Sequence, residues 1–188
     1  MQRIADVVFS LSVSLWLALA VVGGIAAMGI FPTARTLDIS LAGYEAFLAA
    51  HPEEGRMLVA GHFAERIFML AETPRLVCAV VAALALAVQL AASVRAPTLK
   101  KTRVAALIAA AGALAFSAFS ATSAFRSLDA TYRGLASNAA TIADAIALKP
   151  QLDAAHALAS RTMTVEVVAL LVLITLSAIA AGGSRTRA

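Results

Sequence analysis

The stretch that decides the fold lies at the centre of the chain, where residues 76–125 read LVCAVVAALALAVQLAASV, then RAPTLKKTR, then VAALIAAAGALAFSAFSATSAF. The first and third parts carry no charged side chain, and each is long enough to cross a hydrocarbon core of ~30 Å as a helix. The connector between them, Arg95–Arg103, holds four basic residues and no acidic one. This pattern predicts a transmembrane helical hairpin with a basic turn.

Uncharged stretches on both sides of the hairpin extend the prediction to four membrane spans. The chain is 61% hydrophobic with a mean hydropathy of +0.87, which is too apolar for an ordinary soluble domain. We therefore predict an all-α fold, a single four-helix transmembrane domain over residues 1–188 arranged as an antiparallel bundle. The predicted spans are residues 7–31, 76–94, 104–125 and 165–183. Residues 38–75 and 126–164 are predicted to extend helices two to four beyond the outer membrane surface.

Prolines and glycines predict where the helices end and where they pack. Phe31-Pro32 is expected to end the first helix, and Lys149-Pro150 to separate the third from the fourth, because proline cannot extend the hydrogen-bond ladder. A short helix is expected over Leu41–Ala50, followed by a helix that begins near Pro52. The paired glycines Gly23-Gly24 indicate a close packing contact or a mild bend in the first span.

The positive charge of the chain is concentrated at the ends of the predicted spans. One side of the membrane would hold Asp6 and these basic residues: Arg3, Arg95, Lys100, Lys101, Arg103, Arg185 and Arg187. Short basic segments stay in the cytoplasm, so we predict a multi-pass protein of the cell inner membrane with both termini cytoplasmic. Nucleic acid is not an expected partner, because these cations lack interleaved aromatic residues.

Two further features exclude other classes of protein. The first apolar stretch is longer than the roughly 7–15 residues of a signal-peptide core, so it is predicted to be a retained span. The single cysteine, Cys78, has no second cysteine with which to form an intramolecular disulfide, and a buried lone thiol is usually a packing residue.

Three short motifs resemble those of a known membrane family. They are Ser14-Leu-Trp16-Leu with the later Phe31-Pro32, then Ala60-Gly61-His-Phe-Ala-Glu-Arg66-Ile-Phe68, and finally Leu152-Asp-Ala-Ala-His156-Ala-Leu-Ala-Ser160. Together they resemble an uncharacterised four-helix bacterial integral membrane family related to eukaryotic transmembrane-protein-205-like proteins. That family has no established activity, so the resemblance implies an architecture and no function.

One polar face of the second helix is the main candidate for chemistry. His62, Glu65, Met69 and Glu72 follow each other at i, i+3, i+7 and i+10 and therefore share one face. With His156 from the last helix, they would form a His/Glu cluster that binds a first-row metal or relays protons. The alternative, which we favour, is a set of solvated ion pairs in which Arg66 and Arg75 neutralise the carboxylates.

Other polar residues receive structural interpretations. Glu166, near Arg161, is expected to be an interfacial anchor at the outer edge of the fourth span, and His156 is expected to hydrogen-bond another helix. Methionines 57, 69 and 163 are expected to fill gaps in packing rather than to form a copper path. The sequence contains no phosphate-binding loop, nucleophile elbow, CxxC pair or haem-attachment motif.

These observations predict a non-enzymatic inner-membrane protein that acts through helix association, as a homo-oligomer or as an accessory subunit of a membrane complex. No catalytic residue and no cofactor is predicted. The expected partners are the lipid bilayer and other membrane protein chains or further copies of this one. The alternative is a small transporter or metal-handling protein that uses the His/Glu cluster. An intramembrane enzyme has the least support, since no nucleophile–base pair can be placed.

Overall fold

The structure, a computed structural model, describes residues 2–37, 41–92 and 97–182. Its α-helices are α1 (Gln2–Thr36), α2 (Glu45–Ala50), α3 (Pro52–Ala92), α4 (Pro97–Phe116), α5 (Thr122–Ala136) and α6 (Ile142–Gly182). A π-helical turn, Ser117–Ala121, joins α4 to α5, and a 3₁₀ turn, Ala139–Thr141, precedes α6. No β-strand occurs in these three ranges.

Among the described residues, four helical stretches are long and apolar enough to cross a membrane. They are Arg3–Thr36, Pro52–Ala91, Lys100–Ala136 and Ala139–Ile179. The prediction of an all-α chain with four candidate membrane helices is therefore confirmed, and the arrangement fits a four-helix bundle. These four helices indicate a multi-pass membrane protein.

The chain divides into two compact units. The first consists of Met1–Val21, Ala71–Phe116 and Thr162–Ala188. Its core is built from one apolar side of each long helix, with Trp16, Leu86, Leu114 and Leu170 among its most buried members. Small residues such as Ala82 and Ala110 lie between them and allow close approach of the helix backbones.

The second unit consists of Val22–Leu70 and Ser117–Arg161 and has its own core. The ring of Phe47, fully buried on the short helix α2, meets the edge of the Tyr132 ring on α5 at a centroid distance of 6.0 Å. Gly23 touches the Phe68 ring so closely that a Cβ would collide with it. The packing contact predicted at the paired glycines is therefore present.

The helix ends expected at two prolines are wrong. Pro32 lies inside α1, which continues to Thr36, and Pro150 lies inside α6. A proline removes one backbone N–H from the ladder, and a long helix can tolerate that loss where neighbouring helices hold it in place. Proline alone was therefore a poor guide to where these helices end.

The break between the third and fourth long helices lies instead at Ser137–Thr141. The Asn138 side chain accepts a hydrogen bond from the Ala140 backbone N–H at 3.0 Å. The hydroxyl of Thr141 donates to the carbonyl oxygen of Leu135 at 2.8 Å. Asparagine and threonine side chains that bond to nearby backbone groups end one helix and start the next, so they replace the expected break at Pro150.

Two other boundaries also differ from expectation. The short helix is α2, which begins at Glu45 rather than Leu41, after a turn in which Gly43 has φ +87°. The basic connector is shorter than predicted, because α4 begins at Pro97 and so includes Arg103. Residues 38–40, 93–96 and 183–188, which include Arg95 and the predicted span ends at 94 and 183, lie outside the described residues.

Candidate functional site

Two of the predicted site residues, His62 and Glu65, meet at Arg133, for which the sequence pattern predicts no role. Arg133, on α5, donates from Nη1 to Oε2 of Glu65 at 2.9 Å. The same nitrogen lies 2.7 Å from Nδ1 of His62. The carboxylate of Glu65 is therefore paired with a guanidinium from another helix of the second unit, whereas Arg75, expected to neutralise the carboxylates of this face, pairs with Glu166.

Arg133 also binds a second carboxylate. Its Nη2 lies 2.6 Å from Oδ2 of Asp129, four residues earlier on α5. Asp129 lies beyond residue 125, where the predicted span ends. Burial raises the pKa of its carboxyl above the ordinary value, and the Arg133 guanidinium opposes that rise. Arg133 thus holds Glu65 and Asp129 together, and two carboxylates this close need such a cation.

Among the described residues, His156 and Glu72 are not grouped with His62 and Glu65 in a set that could hold a metal ion. His156 belongs to the second unit, where its ring packs against that of Phe125 at a centroid distance of 5.7 Å. Glu72 belongs to the first unit. Across residues 2–37, 41–92 and 97–182, no three His, Cys, Asp or Glu side chains are grouped so that they could hold a metal ion. The four candidate ligands therefore do not form one metal site.

The most buried ionisable group lies in the first unit and involves Glu166. This α6 side chain is 0% exposed, and both of its oxygens are occupied. Oε1 accepts a hydrogen bond from Nε1 of Trp16 at 2.6 Å and one from Nε of Arg75 at 3.3 Å. Oε2 forms an ion pair with Nη2 of the same arginine, which is 7% exposed.

This arrangement corrects the interpretation of Glu166 as an interfacial anchor. An anchor needs a charged end in contact with water or lipid headgroups, whereas Glu166 is fully enclosed by α1, α3 and α6. A fully buried carboxylate requires a cation and further donors, and Arg75 and Trp16 supply them. The sequence shows an ionisable residue in the fourth span, but neither of these partners is adjacent to it in the chain.

A second buried polar group in the first unit contains Arg103 and Gln89. The Arg103 guanidinium donates from Nη2 to Oε1 of Gln89 at 2.6 Å and from Nε to Oγ of Ser177 at 3.2 Å. It also lies 5.0 Å from the centre of the Phe9 ring, a cation–π distance. Gln89 in turn donates from Nε2 to the backbone oxygen of Ala5 at 3.0 Å. Arg103, predicted as a charge of the basic turn, is therefore an interior residue.

Together these groups tie the four long helices of the first unit to each other by polar contacts. The Glu166 group connects α1, α3 and α6, and the Arg103 group connects all four. The donor and acceptor atoms of these hydrogen bonds are satisfied inside the chain. The chemistry that the arrangement supports is mutual neutralisation and hydrogen bonding between helices.

Comparisons of the chain with protein-family models, with curated proteins and with solved structures gave no match.

Proposed function

We propose that this chain is a non-enzymatic integral protein of the cell inner membrane that acts through helix association, as a homo-oligomer or as an accessory subunit of a membrane complex. The observation that carries the proposal is the internal pairing of the most buried charges. Arg75 and Glu166 neutralise each other, and Arg103 is bound by Gln89 and Ser177. Groups held this way join helices and need no substrate or ion to complete them.

The outward surface of the first unit supports association as well. Large apolar side chains are exposed on all four of its long helices, among them Leu11, Leu84, Ile108 and Val168. Hydrocarbon tails are as apolar as these side chains, so any association of helices in lipid comes from close van der Waals packing rather than from the hydrophobic effect. This surface therefore faces lipid or another membrane helix, and we infer that part of it contacts another chain.

The choice of membrane, the orientation of the termini and the family resemblance are proposed from the sequence. The basic segments next to the spans favour the inner membrane with both termini cytoplasmic. The resemblance to the bacterial family related to transmembrane-protein-205-like proteins is likewise proposed from the three motifs that carry it. Neither proposal implies an enzymatic activity.

The alternative of a transporter or metal-handling protein has less support. Its candidate ligands His62 and Glu65 are both engaged by Arg133, and a cation next to a metal site would repel the metal. A proton path through Glu166 would require that carboxylate to exchange partners, but it is 0% exposed and bound on both oxygens.

The test of this proposal is the assembly state in mild detergent extracts of native membranes. We expect the affinity-purified full-length chain to elute at a mass above that of one copy with its detergent, and to be captured with itself or one defined partner after chemical cross-linking. A lone monomer with no cross-linked partner would contradict the proposal. Extraction in a harsh detergent serves as the control, because it should reduce the larger species to the monomer.

A further inference from the structure

A groove between α3 and α4 has features that neither the fold nor the proposed function explains. It belongs to the first unit and has a volume of about 430 Å³. Its described walls are Leu90 from α3 and Lys100, Lys101, Val104, Ala105 and Ile108 from α4. The surface that lines the groove is almost entirely apolar, so Lys100 and Lys101 contribute their methylene groups to the walls.

The groove has a charged end and an apolar end. Lys100, Val104 and Ile108 follow at intervals of four residues and so lie along one face of α4. From Lys100 to Ile108 the helix rises by ~12 Å at 1.5 Å per residue. Ile108 is 65% exposed, so the apolar end opens outward towards the surrounding lipid.

Arg103, the next cation along α4, is not among the residues that line the groove. Arg103 is buried and is bound to Gln89 and Ser177 inside the unit. Among the described residues that line the groove, Lys100 and Lys101 carry positive charge. Two adjacent ammonium groups beside an apolar channel match a molecule with an anionic end and a hydrocarbon tail.

We propose that this groove binds an anionic phospholipid, with the phosphate next to Lys100 and Lys101 and an acyl chain along Leu90, Val104 and Ile108. The phosphate accepts hydrogen bonds from the lysine ammonium groups, which carry three donors each. The acyl chain fills the apolar part of the groove. The site thus selects among lipids by headgroup charge, in addition to the general contact between the protein and the bilayer.

The size of the expected effect follows from the number of cations. A basic residue near an anionic lipid surface contributes a factor of about five to binding, so two contribute about 25-fold. Replacement of both lysines by glutamine should therefore weaken retention of an anionic lipid about 25-fold. Retention of a zwitterionic lipid should change little, because it offers no net negative charge.

The experiment measures lipids bound to the purified full-length chain by native mass spectrometry. Phosphatidylglycerol and phosphatidylcholine are each titrated in from mixed micelles, and inorganic phosphate is tested separately as a competitor. We expect the wild type to bind phosphatidylglycerol with a discrete stoichiometry and phosphatidylcholine more weakly. Displacement by millimolar inorganic phosphate would mean that the headgroup alone is bound, and would overturn the acyl-chain part of the proposal.

Three variants and one control separate charge from shape. Lys100→Gln with Lys101→Gln removes both cations, and Lys100→Arg with Lys101→Arg keeps the charge and should keep the binding. Ala105→Trp fills the groove without changing the charge and should also abolish retention; Ala105 is exposed, so the larger ring does not enter the core. Arg66→Gln with Arg161→Gln removes two exposed cations from the second unit and should leave binding unchanged.

The outcomes are distinct. Loss of phosphatidylglycerol in the double glutamine variant and in Ala105→Trp, with retention in the double arginine variant and in the control, supports the site. Equal loss in the glutamine variant and the control would mean that only the total charge matters and would overturn it. Unchanged binding in Ala105→Trp would overturn the place assigned to the acyl chain.

Discussion

Arg75 on α3 and Glu166 on α6 form an ion pair inside the first unit, although 91 residues separate them in the chain. The carboxylate is 0% exposed and the arginine 7%. Removing two charges from water is costly, and their attraction offsets this cost only when further hydrogen bonds complete the site. Trp16 supplies such a bond, so the three side chains act as one unit that joins α1, α3 and α6.

The first prediction concerns the loss of one partner of this pair. Arg75→Gln should lower the free energy of unfolding by about 3–5 kcal/mol, because Glu166 is left as an uncompensated buried charge. Glu166→Gln should have a similar effect through Arg75. The double variant Arg75→Met with Glu166→Leu should recover much of the loss, since neither charge remains. The measurement is reversible unfolding in detergent micelles, followed by circular dichroism.

An exposed ion pair provides the matched control. Lys149 and Asp153, four residues apart on α6, are joined at 2.7 Å, with side chains 35% and 62% exposed. Lys149→Gln should cost only ~0.3–0.5 kcal/mol, as exposed helical pairs do. If Arg75→Gln cost no more than this control, the buried pair would not hold the helices together.

The second prediction concerns Arg133 and the two carboxylates that it binds. Arg133→Gln should lower the free energy of unfolding by about 1–3 kcal/mol, since hydrogen bonds to charged groups are lost. Without the cation, Glu65 and Asp129 repel each other, and this repulsion adds to the burial that already raises the pKa of the Asp129 carboxyl in the folded state. The folded state then binds protons more readily, so the loss should shrink as the pH falls from about 7 to about 5.

Two controls make this pH dependence specific. Arg133→Gln and its parent are both measured in a His62→Gln background, so that neither protein carries the imidazole next to position 133. Arg161→Gln removes an exposed guanidinium of the second unit and should show neither the loss nor the pH dependence. A loss that stayed constant or grew as the pH fell would show that carboxylate repulsion is not its cause.

The third prediction concerns metal content. Elemental analysis of the purified wild type should find no stoichiometric transition metal, because Arg133 occupies the position next to His62 and Glu65. His156→Gln should melt close to the wild type, and His156→Leu should as well, since the ring of His156 packs against Phe125. Stoichiometric zinc, copper or iron that disappears in both His156→Gln and Glu65→Gln would support the metal-handling alternative.

The fourth prediction concerns orientation. In a Cys78→Ala background, a cysteine at Thr98 should be protected in intact cells from a thiol reagent that cannot cross the membrane. A cysteine at Ser137, in the turn before α6, should react with it. Both substitutions preserve the charged residues that set the orientation. Reaction at Thr98 and protection at Ser137 would reverse the topology.

The sequence predicted most of the fold, because long uncharged stretches leave a chain in lipid few alternatives to helices. It predicted the ends of those helices less well. Pro32 and Pro150 lie inside helices, whereas the break before α6 depends on side chain–backbone bonds of Asn138 and Thr141. Those bonds are local in sequence and could have been predicted. Proline is the more familiar signal for the end of a helix, and at Pro32 and Pro150 it gave the wrong position.

The candidate site was only partly predictable, for a different reason. Sequence spacing identifies residues that share one helix face, and it correctly placed His62 and Glu65 on the same face. It does not identify the partner on another helix, and for Glu65 that partner is Arg133, 68 residues away. The same holds for Glu166, whose partners come from α1 and α3. Pairing between helices depends on how they pack, which periodicity does not specify.

The most direct test of the central claim, that the chain acts through helix association, is photo-cross-linking in native membranes. A benzophenone side chain is placed in turn at Leu11, Leu84, Ile108 and Val168, which are exposed positions on the four long helices of the first unit. We expect irradiation to give a discrete higher-mass protein band from at least one position, and unirradiated membranes to give none. The absence of any protein adduct from all four positions would contradict the claim.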